Sequence, residues 1–228
     1  MPIAALSGSL LSNDALERVI VDALGAALDP AGARAAHPRV AGWHRRARIL
    51  MGPACSARAV FDRIASPLLE DLGYTLAVAP ASSGSVLHAL LSAQARTVAS
   101  LVVTTWGRDP ASAWREAVRH GIAHGVRWCL CTTGVVLRAI DTERTYSRRF
   151  AQFDLDLAID DPAAFAALWG LLRADAFDRH PPLLDRAAAL SEQHRSSVRM
   201  SLQEGVHEAL LHLLNAFARS ARKPARLS

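Results

Sequence analysis

Two neighbouring stretches decide the fold of this chain: ASLVVTTWG at residues 99–107 and AWREAVRHGIAHGVRWCLCTTGVVLRAID at residues 113–141. The first is a run of apolar and β-branched residues, which predicts a strand over residues 98–105. A helix is predicted over residues 110–124, because it starts at a proline and ends near a glycine. After it, short apolar runs on either side of Thr133 and Gly134 predict a hairpin of two strands, residues 127–132 and 135–140.

The residues upstream predict a helix and two more strands. Ser56 caps a helix over residues 57–72 that Pro67 kinks or splits. Strands follow over residues 74–79 and 86–91, joined by the turn PASSG at residues 80–84. A further strand over residues 146–153 is left open. Three meandering strands, a crossover helix and a fourth strand predict an α/β fold with a mixed sheet over about residues 57–153.

The sequence patterns at the two ends of the chain differ from those at its centre. A helix is predicted over residues 13–28 with Asn13 as its cap, and the proline and glycine residues of 29–42 predict a linker. From Asp161 onward every segment is helical, with one long or two shorter amphipathic helices over residues 183–219. The predicted domains are therefore an N-terminal helix and linker at 1–40, an α/β domain at 41–155 and an all-helical segment at 156–228.

The composition restricts the chemistry more than the size does. The 228 residues carry 26 Lys and Arg against 21 Asp and Glu, a net charge of +5, yet the only lysine is Lys223. A Schiff-base lysine, a phosphate-binding P-loop lysine or a nuclease lysine therefore has no candidate in the body of the chain. The excess of arginine is also what a GC-rich genome would produce.

The cysteines and the apolar runs bear on the compartment. Cys55, Cys129 and Cys131 are an odd and sparse set, which favours a reducing environment over a disulfide scaffold. The N-terminus lacks the basic start of a signal peptide, and no uncharged apolar run is long enough to span a membrane. We therefore predict a cytoplasmic protein without membrane partners.

Two kinds of side-chain cluster suggest chemistry. Glu116, His120 and His124 share one face of the predicted helix, which suits either a metal site or a polar helix face. A similar array of Glu204, His207 and His212 lies near the C-terminus. The arginines at 45–48, at Arg127 beside Trp128 and at 144–149 suit contacts to a nucleic-acid backbone, or are simply solvated. Neither a nucleophile elbow nor a phosphate-cradling loop is present in the sequence.

Residues 68–141 carry a resemblance to a known family, through LLEDLGYTL, VLHALL, ASLVVTTWG and the helix–hairpin stretch quoted above. They resemble the N-terminal PD-(D/E)XK nuclease-like region of type IIG restriction-modification proteins, which fuse an endonuclease to an N6-adenine methyltransferase. The downstream RTYSRRFAQFDLD, FAALWGLLRADAF and SVRMSLQEGVHEALLHLLNAF are also similar, so the likeness spans about residues 57–217. It implies a restriction-endonuclease-like αβββαβ core, DNA as a partner, and a methyltransferase subunit or domain.

The departures from the family pattern fall on its active site. By strand position His88 stands where the family has aspartate, and Thr104 and Trp106 stand at the Glu and Lys places. Glu116 and His120 replace the family's Gln and Tyr. A magnesium-dependent nuclease needs two carboxylates for the cation, so we expect a degenerate site without catalytic residues or cofactors. The chain also lacks the methyltransferase's Asn/Asp-Pro-Pro-Tyr/Phe motif, which suggests a truncated or split piece.

The expected function is therefore a DNA-contacting or docking domain of a bacterial defence protein. The expected nucleic-acid contacts flank the hairpin and the crossover helix, namely Arg115, Arg119, Arg127, Trp128 and Arg138. Trp128 also fits a buried strand position. Two alternatives stay open: an active endonuclease that binds Mg²⁺ through relocated ligands such as Glu116, and a purely structural assembly module built on the C-terminal helices.

Overall fold

A seven-stranded mixed sheet forms the centre of the protein, whose computed structural model describes residues 4–79 and 84–221. The strands are β1 (Leu6–Gly8), β2 (Thr75–Val78), β3 (Val86–Ala93), β4 (Arg96–Thr104), β5 (Trp128–Thr132), β6 (Val136–Asp141) and β7 (Phe150–Asp154). They lie in the order β1-β7-β6-β5-β4-β3-β2. Only β4 and β5 pair in parallel among these strands, and the other neighbours are antiparallel.

Helices surround this sheet and extend beyond it. They are α1 (Asn13–Ala15), α2 (Val21–Leu24), α3 (Pro30–Ile49), α4 (Ala57–Val60), α5 (Ser66–Asp71), α6 (Trp114–Ala123), α7 (Leu155–Asp160), α8 (Pro162–Leu172), α9 (Ala174–Asp178) and α10 (Leu183–Ala221). π-Helical turns at Leu16–Ile20 and Phe61–Ala65 join α1 to α2 and α4 to α5. Shorter 3₁₀ turns cover Gly25–Leu28, Pro110–Ala113 and Thr145–Ser147.

The predicted α/β class, mixed sheet and helical C-terminal part are confirmed. Strands β2, β3 and β4 form an antiparallel meander after α5, and α6 then crosses over so that β5 returns parallel to β4. Ser100 pairs with Cys129 and Val103 with Thr132 in this parallel register. Of the turn predicted at 80–84, residues 80–83 lie outside the described part of the chain.

The linker predicted for residues 29–42 is wrong, because these residues belong to α3. Asp29 caps the helix with a side-chain oxygen that accepts from the backbone N–H of Gly32 at 3.0 Å. Pro30 occupies the first turn, where its missing N–H costs no hydrogen bond. Ala33, Ala36 and Val40 bury one face of α3, and the packing of that face outweighs the interior Pro38.

The sequence pattern also missed the edge strand β1. Its three residues are too few to show an alternating pattern, and they form a strand by pairing with β7, Leu6 opposite Phe153. The N-terminal residues therefore belong to the same sheet as the centre of the chain.

The two faces of the sheet differ in what covers them. One face carries the main core, in which Leu101, Trp128 and Phe153 are almost fully buried among residues of the surrounding helices. A smaller cluster lies on the other face under α6, where Val102, Cys129, Cys131 and Ile140 meet Ala117. Burial raises the pKa of both Cys129 and Cys131, so these thiols are inert parts of the packing.

The chain divides into two compact units after Ser191, not at residues 40 or 155. Within the first unit, Leu183, Leu184 and Ala187 at the start of α10 are buried. In the second unit, the apolar side chains of α10 are exposed, including Leu202, Val206 and Leu210. In the parts of the chain described, no helix combines the length and apolar character needed to cross a membrane.

Candidate functional site

A cluster of two histidines and a glutamate lies between β3 and α6. Nε2 of His88 is 3.1 Å from Oε1 of Glu116, and the ring of His88 is 4.7 Å from the ring of His120. Side chains alternate along β3, so Ala89 faces the main core while His88 faces α6. Glu116 and His120 are four residues apart on α6, which places both beside His88.

His120 is the most buried member of this cluster. Nε2 of His120 lies 3.1 Å from the backbone oxygen of Ala89 and donates a hydrogen bond to it. Burial lowers the pKa of His120, and the neighbouring His88 and His124 lower it further. His120 is therefore a neutral imidazole that ties α6 to β3.

The degenerate positions predicted from the family pattern are only partly brought together. Thr104 is buried at the end of β4 and lies on the same face as His88, since it pairs with Val86 while His88 pairs with Val102. Glu116 is the carboxylate beside this pair, and its other oxygen accepts from Arg119 at 2.7 Å. Glu70, another candidate carboxylate, is bound to Ser66 on α5.

Trp106 does not join His88 and Glu116, so the expectation that it shares their site is wrong. The strand ends at Thr104, and the alternation that would have put Trp106 on the same face ends with it. Its ring packs against the main core and against Gly134, and Cζ of Arg48 lies 4.7 Å from the ring centre. Trp106 thus contributes to packing.

Metal ligation has no support in the geometry. Among residues 4–79 and 84–221, no group of three or more His, Cys, Asp or Glu side chains is arranged to hold a metal ion. The C-terminal array is exposed on α10, where His212 lies 3.7 Å from Glu208.

Arg115 and Arg119 are the predicted contacts that the fold leaves accessible. Both are exposed on the side of α6 that faces away from the sheet. With Trp114, Val118 and Ile122 they line a shallow groove of about 460 Å³. A surface with two guanidinium groups beside apolar side chains suits a polyanion that also offers flat apolar faces.

Arg127 is engaged inside the protein. It donates to Asp141 at 3.1 Å and to Asp185 at 2.9 Å, and it lies 3.5 Å from Glu143. Burial alone would lower the pKa of Arg127, but these three carboxylates raise it. Arg127 therefore joins β5, the end of β6 and the start of α10 rather than presenting its charge to a ligand.

Trp128 and Arg138 are buried, so their assignment as nucleic-acid contacts is wrong. Trp128 is 2% exposed, and its indole N–H donates to Asp185 at 2.8 Å. Arg138 is 7% exposed, donates to Gln152 at 2.7 Å, and stacks over Phe150 at 4.0 Å. Both side chains face the layers packed on the sheet. The alternation of residues along a strand does not by itself distinguish such positions from solvent-facing ones.

A second polar cleft, of about 370 Å³, lies between α3 and α7. Arg48 from the basic run at 45–48 donates to both oxygens of Asp156, at 3.0 and 2.8 Å. Burial lowers the pKa of the neighbouring His44, whose Nε2 is 3.8 Å from Asp156. Arg48 thus serves the packing of α3 on α7, while Arg45 remains exposed.

The arginines of 144–149 are candidate nucleic-acid contacts from the sequence, whereas Tyr146 between them was not among the predicted contacts. This side chain is 87% exposed at the centre of the 3₁₀ turn Thr145–Ser147. The signal available in the sequence was an aromatic residue inside an arginine run, a pattern typical of nucleic-acid binding.

Comparisons of this chain with protein-family models, with curated proteins and with solved structures found no match.

Proposed function

We propose that the α/β part of this protein is a degenerate restriction-endonuclease-like domain that contacts DNA without cutting it. One observation carries the proposal: His88, Thr104 and Glu116 gather on one face of the sheet beside the crossover helix. By the resemblance to type IIG proteins, His88 and Thr104 stand where the nuclease has its two carboxylates, and Glu116 stands at the family's Gln beside them. The chain order of α5, β2, β3, β4, α6 and β5 supports the same core.

The chemistry of the gathered residues opposes hydrolysis. Magnesium is held by hard oxygen ligands, and a nuclease site supplies at least two carboxylates to activate water and stabilise the leaving oxygen. Here an imidazole and a hydroxyl replace carboxylates, and Glu116 is already bound by Arg119. The only lysine is Lys223, outside the α/β part, so no ammonium group supports an attacking water.

The exposed arginines of α6 support contact with DNA. Arg115 and Arg119 are four positions apart on the helix, so both guanidinium groups reach the same side of it. Each phosphate that they neutralise releases a counterion and makes the affinity depend on salt. The sequence pI of about 9.8 supports the same direction of binding.

A plasmid-nicking assay with Mg²⁺ or Mn²⁺ tests the degenerate site. We expect no cleavage by the full chain. Cleavage that disappears in Glu116→Ala would overturn the proposal and support an active nuclease with relocated ligands.

Salt titration of DNA binding tests the contact. Changing Arg115 and Arg119 together to Ala should reduce the slope of log K against log [salt] on a duplex by up to about 1.8, since each phosphate contact contributes roughly 0.9. Arg34→Ala is a matched control, because Arg34 is an exposed arginine on α3 instead of α6. No binding at low salt would rule against DNA contact.

A second function, docking of a partner protein, is favoured by α10. Its apolar side chains after Ser191 are exposed, as expected of a helix that binds another apolar surface. The methyltransferase part implied by the resemblance is the candidate partner. Co-expression with a methyltransferase from a neighbouring reading frame tests this, and separate elution of the two proteins would argue against it.

A further inference from the structure

The loop between β6 and β7 presents an aromatic ring among arginines. Tyr146 is 87% exposed, and Arg144 and Arg148 on either side of it are also exposed. A single exposed aromatic side chain is ordinary on a protein surface. This one differs because its backbone is ordered, its surroundings are basic and a cleft adjoins it.

Hydrogen bonds within the loop and to the N-terminal segment order its backbone. Both the backbone N–H and the hydroxyl of Ser147 donate to the carbonyl of Arg144, at 3.2 and 3.0 Å. The hydroxyl of Ser9 donates to the carbonyl of Arg148 at 3.2 Å. Arg148 itself has a φ of 43°, which turns the chain back into β7. Tyr146 is therefore held at the tip of a formed turn.

Of the two acidic side chains at the base of the loop, that of Asp141 is buried and that of Glu143 is exposed, and both lie beside Arg127. Asp141 is 1% exposed and bound by Arg127, and Glu143 lies 3.5 Å from the same guanidinium group. The run from residue 144 to residue 149 contains three arginines and no acidic residue. The outer surface of the loop thus offers positive charge on both sides of the ring.

A cleft connects this loop to the exposed side of α6. It encloses about 450 Å³ and is lined by Ile122 at the end of α6 and by Thr142, Glu143 and Thr145 at the base of the loop. Ile122 also lines the groove beside Arg115 and Arg119. The surface therefore continues from α6 to the loop, and the carboxylate of Glu143, which lies beside Arg127, is part of it.

We propose that Tyr146 stacks on an unpaired base of a single-stranded nucleic acid, whose phosphates lie along Arg144, Arg148 and the arginines of α6. Stacking suits an unpaired base because every base offers a flat apolar face, whereas the bases of a duplex are already stacked on one another. This inference rests on the proposed function. It adds that the nucleic acid is single-stranded and that Tyr146 contacts its bases.

The experiment compares three forms of the full chain on two probes. Fluorescence anisotropy is measured with a labelled oligothymidylate and with a duplex of equal length, over a range of salt concentrations. Tyr146→Ala should weaken single-strand binding at least about fivefold, and Tyr146→Phe should retain it because the ring remains. The salt slope should not change, since no charge is removed.

A second readout does not depend on affinity. A strand that carries 5-iodouracil, irradiated in the complex, should cross-link to Tyr146, as mapped by mass spectrometry. Arg148→Ala is the charge control and should reduce the single-strand salt slope by about 0.7 while leaving the cross-link in place.

The outcomes separate the two proposals. Duplex binding with no effect of Tyr146→Ala on the single strand would overturn the stacking proposal and leave DNA contact standing. An equal loss on both probes would overturn it too, because a backbone contact does not discriminate them. Binding of neither probe at low salt would overturn DNA contact itself, and with it this inference.

Discussion

Nε2 of His88 lies 3.1 Å from Oε1 of Glu116, so an imidazole of β3 meets a carboxylate of α6. Two carboxylates at this distance repel each other and need a cation between them. An imidazole and a carboxylate do not repel each other in this way, so the contact between β3 and α6 requires no bridging cation.

The buried His120 beside this pair predicts a pH-dependent stability. Because the pKa of His120 is lowered from 6.5, mainly by burial, the unfolded chain binds a proton at a pH where the folded chain does not. The free energy of unfolding should therefore decrease as the pH falls below about 6.5. His120→Gln should make this decrease smaller, as measured by urea unfolding at pH 7.5 and pH 5.

The control is His207→Gln, which changes an exposed histidine of α10. The decrease attributed to His120 should persist in this variant. Part of the decrease should persist in His120→Gln, because burial also lowers the pKa of His44. An identical pH dependence with and without His120 would contradict the prediction.

A methyl group added at Gly134, in the β5–β6 turn, should lower the free energy of unfolding. Its φ is 81°, and a Cβ atom at this position would lie 2.5 Å from ring atoms of Trp106. Gly134→Ala therefore combines backbone strain with an overlap against a packed indole, and overpacking alone typically costs about 1–3 kcal/mol. Gly107→Ala is the matched control, since its φ is 63° but nothing lies within 4 Å of the added atom.

Thermal or urea unfolding of the two glycine variants separates the two costs. Both should lose about 1–2 kcal/mol from the left-handed backbone, and Gly134→Ala should lose more. Equal losses would mean that Trp106 moves aside without cost.

The carboxylate of Asp185 should stabilise the junction around Arg127. Its two oxygens accept from the indole of Trp128 at 2.8 Å and from Arg127 at 2.9 Å. Asp185→Ala leaves the buried indole N–H without this acceptor, which should lower the free energy of unfolding by about 1–3 kcal/mol. Tryptophan fluorescence during urea unfolding measures it.

Asp185→Asn distinguishes the hydrogen bond from the charge. The amide oxygen can still accept from Trp128, so the loss should be smaller than in Asp185→Ala. An Asp185→Ala variant as stable as the unmodified protein would show that the junction does not depend on this carboxylate.

Several elements were accessible from local patterns. The change from helical to strand-like spacing after Gly73 predicted β2, β3 and β4, and the Thr133–Gly134 turn predicted the hairpin. Residues 29–42 were misread because the proline and glycine signal was treated as decisive. That signal is local, whereas the helix is held by packing against α8 and by the Asp29 cap.

The site was less accessible than the fold. The contact between His88 and Glu116 follows from the packing of α6 on β4 and β5, beside β3, which the sequence pattern does not specify. Trp106 takes the Lys place of the family's Glu-x-Lys motif only if the strand continues past Thr104, where β4 ends. Tyr146 was passed over because a residue's exposure does not follow from its type.

The sequence by itself determined the order of elements from β2 to β6 and the absence of lysine from the body of the chain, because both depend only on neighbouring residues and composition. Only the tertiary structure decided which arginines are available to a ligand. Arg127 and Asp185 are 58 positions apart in the chain, yet they form an ion pair, while Arg115 remains exposed. Burial and charge pairing arise between residues distant in sequence, so the number of arginines does not tell which of them lie on the surface of the folded chain.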